Sequence, residues 1–133
     1  MSERRSAFGV RNYRELVAWQ VSFALARRIY EITEAFPRNE MFGLTSQLRR
    51  AAVSIPSNLA EGAGRSTRKE FAHFVTMARG SLNEMETQVL LAKELGFVQG
   101  ADDLALDIER LFALLNGLRN SLNAQRITQN DHG

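Results

Sequence analysis

A proline set inside an amphipathic helical stripe constrains this chain more than any other feature. Gly43 to Arg65 reads GLTSQLRRAAVSIPSNLAEGAGR, in which Leu44, Leu48, Ala51, Ile55 and Leu59 recur at intervals of three and four, the apolar face of an α-helix. Pro56 falls within that stripe. It has no N–H to offer the carbonyl of Ala52 and its ring crowds the preceding turn, so a kink is expected, at a cost of about 3 kcal/mol. A helix survives that cost only when tertiary packing outweighs it, which predicts a buried segment. Ser54 and Ser57 flank the proline with hydroxyls suited to backbone groups it frees.

The other apolar residues fall into three more helical runs. A first helix is expected over about 13–35, ended by Pro37, because the residue before a proline disfavours helical geometry. It carries two stripes: Ala18, Val21, Leu25, Ile29, Ile32 and Phe36 form one, and Leu16, Trp19, Phe23, Ala26 and Tyr30 the other, about 140° round the helix. A monomeric bundle needs one such face. The second therefore makes Leu16, Trp19, Phe23 and Tyr30 candidate contacts with another subunit. The proline helix should end near Gly62 to Gly64, where glycine suits left-handed C-terminal geometry.

A third helix is expected to open at Thr67, where Thr67-Arg68-Lys69-Glu70 matches a capping box, and to reach Leu95 with Gly96 as terminator. Its stripe of Phe71, Val75, Ala78, Leu82, Met85, Val89 and Ala92 alternates steps of four and three. A fourth helix, about Ala101 to Asn123, continues the alternation through Leu104, Ile108, Leu111, Leu115, Leu118 and Leu122. A repeat averaging 3.5 residues, with short connections, predicts an all-α fold: an antiparallel up-down-up-down four-helix bundle with a proline-kinked second helix. The bundle would occupy 13–123, between a flexible basic N-terminus (1–12) and a flexible polar tail (124–133). A chain of 133 residues holds one such domain.

Four stretches carry a family resemblance. Gln47-Leu48-Arg49-Arg50-Ala51-Ala52-Val53-Ser54-Ile55-Pro56-Ser57-Asn58-Leu59-Ala60-Glu61-Gly62 resembles the signature of small bacterial four-helix-bundle proteins, the intervening-sequence proteins encoded in insertions of large-subunit ribosomal RNA genes. Leu16-Val17-Ala18-Trp19-Gln20, Phe36-Pro37 and the run from Ala78 to Gln88 (ARGSLNEMETQ) match the same pattern, so that the resemblance covers about Asn12 to Leu122. It implies a ring-shaped homopentamer and does not imply an enzymatic activity. The related accessory variability protein of diversity-generating retroelements works with a reverse transcriptase and nucleic acid, which implies RNA, DNA or such an enzyme as partner. The chain departs from that relative in its modest net charge of +2 and its acidic fourth helix, with Asp102, Asp103, Asp107 and Glu109.

Charge is unevenly spread. Residues 1–69 hold twelve Arg or Lys against six Asp or Glu, and residues 70–133 hold five against nine. A basic surface for an acidic partner, or attraction between basic and acidic helices of one assembly, fits that asymmetry. Arg27, Arg28, Arg49, Arg65, Arg68 and Lys69 are the candidate nucleic-acid contacts. No aromatic residues are interleaved with them as in a base-stacking platform, so binding would be electrostatic. Arginine outnumbers lysine 15 to 2, which favours phosphate and carboxylate forks but also arises from a GC-rich genome. The chain has no cysteine, no secretory signal and no run of 18 apolar residues, so a cytoplasmic protein without membrane contact is expected.

Catalytic constellations are weak. Glu70 and His73 have the Glu-x-x-His spacing of di-iron bundles, but the only other histidine is His132. Gly62-Ala63-Gly64-Arg65-Ser66-Thr67 lacks the strand and the Gly-Lys-Ser/Thr ending of a phosphate loop, although amides at the start of the third helix would attract an anion. No nucleophile motif accompanies a histidine. The expectation is a non-enzymatic homo-oligomeric scaffold without cofactor or metal that binds nucleic acid or a nucleic-acid enzyme. The alternative is a structural or protein-interaction module without nucleic acid.

Overall fold

The computed structural model describes residues 12–100 and 102–131, with side chains as far as residue 124; most of the basic start and the last two residues of the tail lie outside the described residues. Those residues form four α-helices and two short 3-10 turns, without a strand: α1 (Val17–Thr33), α2 (Leu44–Ala63), α3 (Arg68–Glu94) and α4 (Asp102–Asp131). Helices α1 and α3 each pack on α2 and α4, so the four surround one core as a bundle.

The stripes read from the sequence are the core. Leu48, Ile55 and Leu59 of α2, Val75, Ala78, Leu82 and Met85 of α3, and Leu104, Leu111 and Leu115 of α4 are almost completely buried. Pro56 is buried too, within an α2 that continues through it. Side chains around it bond carbonyls on either side of that of Ala52. Ser54 Oγ donates to the carbonyl of Ala51 at 3.2 Å, Ser57 Oγ to that of Val53 at 2.8 Å, and Asn58 Nδ2 to that of Ser54 at 2.8 Å. Ser54 also bonds Ser81 of α3 through their hydroxyls.

Of four helix ends, three differ from expectation and one agrees. The first helix does not start at Tyr13: a 3-10 turn spans Tyr13–Glu15, and Leu16 is extended (φ −69°, ψ 125°) before α1 begins. The local cause is Asn12, whose Oδ1 accepts from the Arg14 N–H at 2.9 Å and closes a separate turn. Second, Gly64 caps α2 in right-handed geometry (φ −86°), so the left-handed C-terminus expected there is absent. The glycine that matters is Gly62, buried inside α2: a Cβ at that position would lie 2.6 Å from Phe74 Cβ and 3.0 Å from Phe71 Cδ1. Its lack of a side chain lets α2 and α3 close on each other.

Third, α3 ends as expected: its last residue is Glu94, Leu95 is the cap, and Gly96 at φ +77° terminates it. The Gly96 N–H donates to the Lys93 carbonyl (3.0 Å) and the Phe97 N–H to that of Ala92 (2.9 Å), a Schellman ending that presses Phe97 on Phe36 with ring centroids 5.5 Å apart. Fourth, α4 continues past Asn123 to Asp131. Between Ala124 and Asp131 there is no Gly or Pro to stop it.

Candidate interaction surface

The two stripes of α1 part company in the folded chain. Leu25 and Ile29 of the first are in the core, whereas Phe23 and Tyr30 of the second stay 54% and 43% exposed. Trp19 and Phe23 are one turn apart and stack with centroids 4.8 Å apart; Tyr13 meets Trp19 edge-on at 5.4 Å. These rings form one wall of an open groove of about 340 Å³ whose other wall is α2, through Val53, Pro56, Ser57 and Ala60. Ala26 and Arg27 complete the lining. Leu16, grouped with this stripe in the sequence, is half-buried at the start of α1, where it packs against the core and does not line the groove.

Sequence reading found one wall of the groove and missed the other. Pro56 and Ala60 are assigned there to a helix and its packing, and nothing in a one-dimensional pattern reveals which helix will stand beside the aromatic stripe. The proline has a second consequence at this place. The residue, buried in α2, gives the groove wall an apolar ring without an N–H.

The candidate cations do not gather into one patch. Arg28 reaches α4, with 2.6 Å to Asp103 and 3.5 Å to Asp107. Arg49 donates to Thr33 Oγ1 at 2.8 Å, lies 3.6 Å from Glu34 and sits over the Tyr30 ring at 4.6 Å. Arg65 pairs with Glu61 at 2.8 Å and stacks on Phe74 at 4.8 Å, and Arg27 pairs with Glu31 at 3.4 Å. Arg49 and Arg65 are sixteen residues apart, about 24 Å along a helix. Arg65 and Lys69 share an open cleft of about 580 Å³ with Thr67, Glu70, His73 and Phe74, while the half-buried Arg68 is not among its lining residues. Thr67 Oγ1 accepts from the Glu70 N–H at 3.1 Å, so the start of α3 is capped by the chain itself.

In the pair Arg28–Asp103 the surroundings shift ionisation. A hydrogen bond from Arg28 holds the Asp103 carboxyl below the usual carboxylate range, and the same bond raises the Arg28 guanidinium. A carboxylate depressed on folding stabilises above its unfolded pKa, and that contribution disappears as pH falls through the folded value. Asp103→Asn is therefore expected to lower stability slightly at neutral pH, the pair being solvent-screened, and to leave it unchanged well below about pH 4, so that the gap between variant and wild type closes as the pH falls. Urea titrations at pH 7 and pH 3 would show it.

Among the described residues no group of three or more His, Asp or Glu is placed to hold a metal ion, and no helix is long and apolar enough to cross a membrane. No curated protein matches the chain significantly. The family description "23S rRNA-intervening sequence protein" matches residues 14–117, a span that takes in the aromatic wall from Trp19 to Tyr30, the proline helix and the Gly62 contact, and the chain belongs to that family.

Proposed function

We propose that the protein is a non-enzymatic, cytoplasmic, homo-oligomeric scaffold, and that the Trp19–Phe23–Tyr30 groove is where its subunits meet. The observation that carries this reading is the groove itself. Stacked aromatics half open to water beside a buried proline form a contiguous apolar surface of the kind that marks protein association. The family description names no reaction. A bundle running up-down-up-down, with neighbouring helices antiparallel and α2 bent at Pro56, accompanies the proposal. It is supported by contacts that set the end of one helix beside the start of a neighbour, Gly62 with Phe71, Thr33 with Arg49 and Arg28 of α1 with Asp103 of α4, and by Ser54 meeting Ser81 midway along α2 and α3. Five subunits is the number implied by the sequence resemblance.

Phe23→Glu tests the reading. The side chain is half exposed, so helicity should survive, while a charge in the buried contact should weaken assembly by at least about 100-fold. Light scattering should then report a smaller particle than the wild type; an unchanged mass would remove Phe23 from the interface.

Nucleic acid remains a second reading, favoured by the cleft that Arg65 and Lys69 line. Against it, Arg28, Arg49 and Arg65 already have carboxylate partners. Replacing Arg49, Arg65 and Arg68 by glutamate should abolish salt-sensitive binding of a structured RNA, measured by fluorescence anisotropy, without changing particle mass. Equal affinity in the variant would exclude those residues as the phosphate contacts.

A further inference from the structure

The stretch of chain that precedes α1 joins the fold at the mouth of the apolar groove. The 3-10 turn Tyr13–Glu15 packs on both α1 and α2, the two walls of the groove, and Tyr13 is one of its lining residues. Hydrogen bonds fix the turn there: the Leu16 N–H donates to the Tyr13 carbonyl at 3.0 Å, and Gln20 Nε2 to that of Arg14 at 2.7 Å. Asn12, ahead of the turn, is extended (φ −154°, ψ 140°). The eleven residues before Asn12 lie outside the described residues, and they enter at the Trp19 end of the groove. They read MSERRSAFGVR, in which Ser6 to Val10 is an uncharged stretch carrying Phe8 and Val10.

We propose that Phe8 and Val10 lie in the Trp19–Phe23–Tyr30 groove of their own chain. The inference rests on the reading of that groove as a subunit contact: the segment is an internal competitor for it, displaced when a second copy binds. Alternation fits. In an extended segment residues two apart share a face, so Phe8 and Val10 point the same way, with small Ala7 and Gly9 opposite. Length fits too. Measured back from Tyr13 at about 3.3 Å per residue, Val10 lies about 10 Å and Phe8 about 16 Å along the groove. Along α1, Phe23 lies about 6 Å and Tyr30 about 16 Å beyond Trp19, which Tyr13 meets edge-on. The two apolar side chains therefore span the two half-exposed rings.

Charge falls in register. The uncharged stretch passes Arg27, and Arg5 and Arg4 follow it, at most about 26–30 Å from Tyr13 in an extended chain. Glu34 is one turn beyond Tyr30 on the same stripe, about 22 Å from Trp19, and its side chain is 78% exposed; that of Glu31 is 65% exposed. Each carboxylate has one arginine neighbour, Arg27 at 3.4 Å from Glu31 and Arg49 at 3.6 Å from Glu34, and a carboxylate has acceptor sites for a second. A segment tethered at Asn12 competes at the effective concentration of its own tether, so it does not need the roughly 800 Å² that separate partners each bury.

Val10→Cys and Ser57→Cys in one chain test this, since the protein has no cysteine of its own and Ser57 lines the facing wall. The double variant would be refolded with a large excess of wild type, so that neighbouring copies carry no cysteine and a disulfide must close within one chain. That disulfide should form, and adding Phe8→Glu, which leaves the tether intact, should slow its formation at least about tenfold. An unchanged rate would be that of a free tether and would overturn the contact. A disulfide that forms between Val10→Cys and Ser57→Cys copies but not within one chain would assign the segment to a neighbour's groove and overturn it equally. In parallel, Phe8→Glu alone should tighten the assembly, lowering its dissociation constant about tenfold if the segment covers the groove about nine-tenths of the time. An equal constant would overturn the competition. A wild type that is monomeric throughout would remove the subunit reading alone, and the disulfide rates would still decide where the segment lies.

Discussion

Gly62→Ala is expected to destabilise the fold by about 1–3 kcal/mol, although alanine is the better helix former by about 1 kcal/mol. The reason is geometric. The new Cβ would lie 2.6 Å from the Cβ of Phe74, an atom fixed to the α3 backbone, so a side-chain rotation cannot relieve the clash and α2 must move from α3. For a chain of this length the midpoint of thermal unfolding should fall by about 4–12 °C. Gly80→Ala is the control. Gly80 lies inside α3 with nothing within 4 Å of its would-be Cβ, so the same substitution there should stabilise by about 0.5–1 kcal/mol. Urea unfolding of both variants at one protein concentration checks the pair; equal effects would show that helix propensity alone, without the α2–α3 approach, governs position 62.

Leu82→Ala should cost about 3–5 kcal/mol, the largest loss among these substitutions. Leu82 is completely buried at the middle of α3, and removing its side chain leaves a cavity between helices that cannot collapse without shifting them. Leu106→Ala, on α4 and 65% exposed, should change stability by less than about 0.5 kcal/mol. The contrast is measured by denaturant midpoint. A small loss at Leu82 would mean that the bundle repacks around the hole.

These two leucines show what the sequence makes legible. Leu82 belongs to a run alternating four and three, and periodicity alone places it inward; Leu106 breaks the run of α4 and points out. Helix number, order and core therefore follow from spacing. What does not follow is any feature that depends on distance between helices. Gly62 and Gly64 look alike in the sequence, as punctuation after a helix. Only the closeness of Phe74 separates the one needed for packing from the one in ordinary right-handed geometry. The start of α1 was obscured by Asn12, whose local hydrogen bond to Arg14 outweighs the continuous apolar pattern from Tyr13 onward.

The surface was legible in part. The second stripe of α1 announces an exposed aromatic wall because three of its residues exceed what one bundle core needs. Its companions on α2 are hidden: Val53, Pro56, Ser57 and Ala60 share one helical face at steps of three and four, but the set is small and partly polar and does not stand out as an apolar stripe. The arginines gain partners that their spacing does not show. As letters, Arg28, Arg49 and Arg65 add to a basic half-chain, but in the fold each faces a carboxylate from its own or a neighbouring helix.

The central claim, that the aromatic groove holds copies of this chain together, is tested most directly by the mass of the wild-type particle in solution. Multi-angle light scattering across a micromolar concentration series should give a multiple of the 15.0 kDa chain mass that stays constant on dilution, about 75 kDa if the ring has five members. A mass of 15.0 kDa throughout the series, in a sample with the expected helicity, would contradict it.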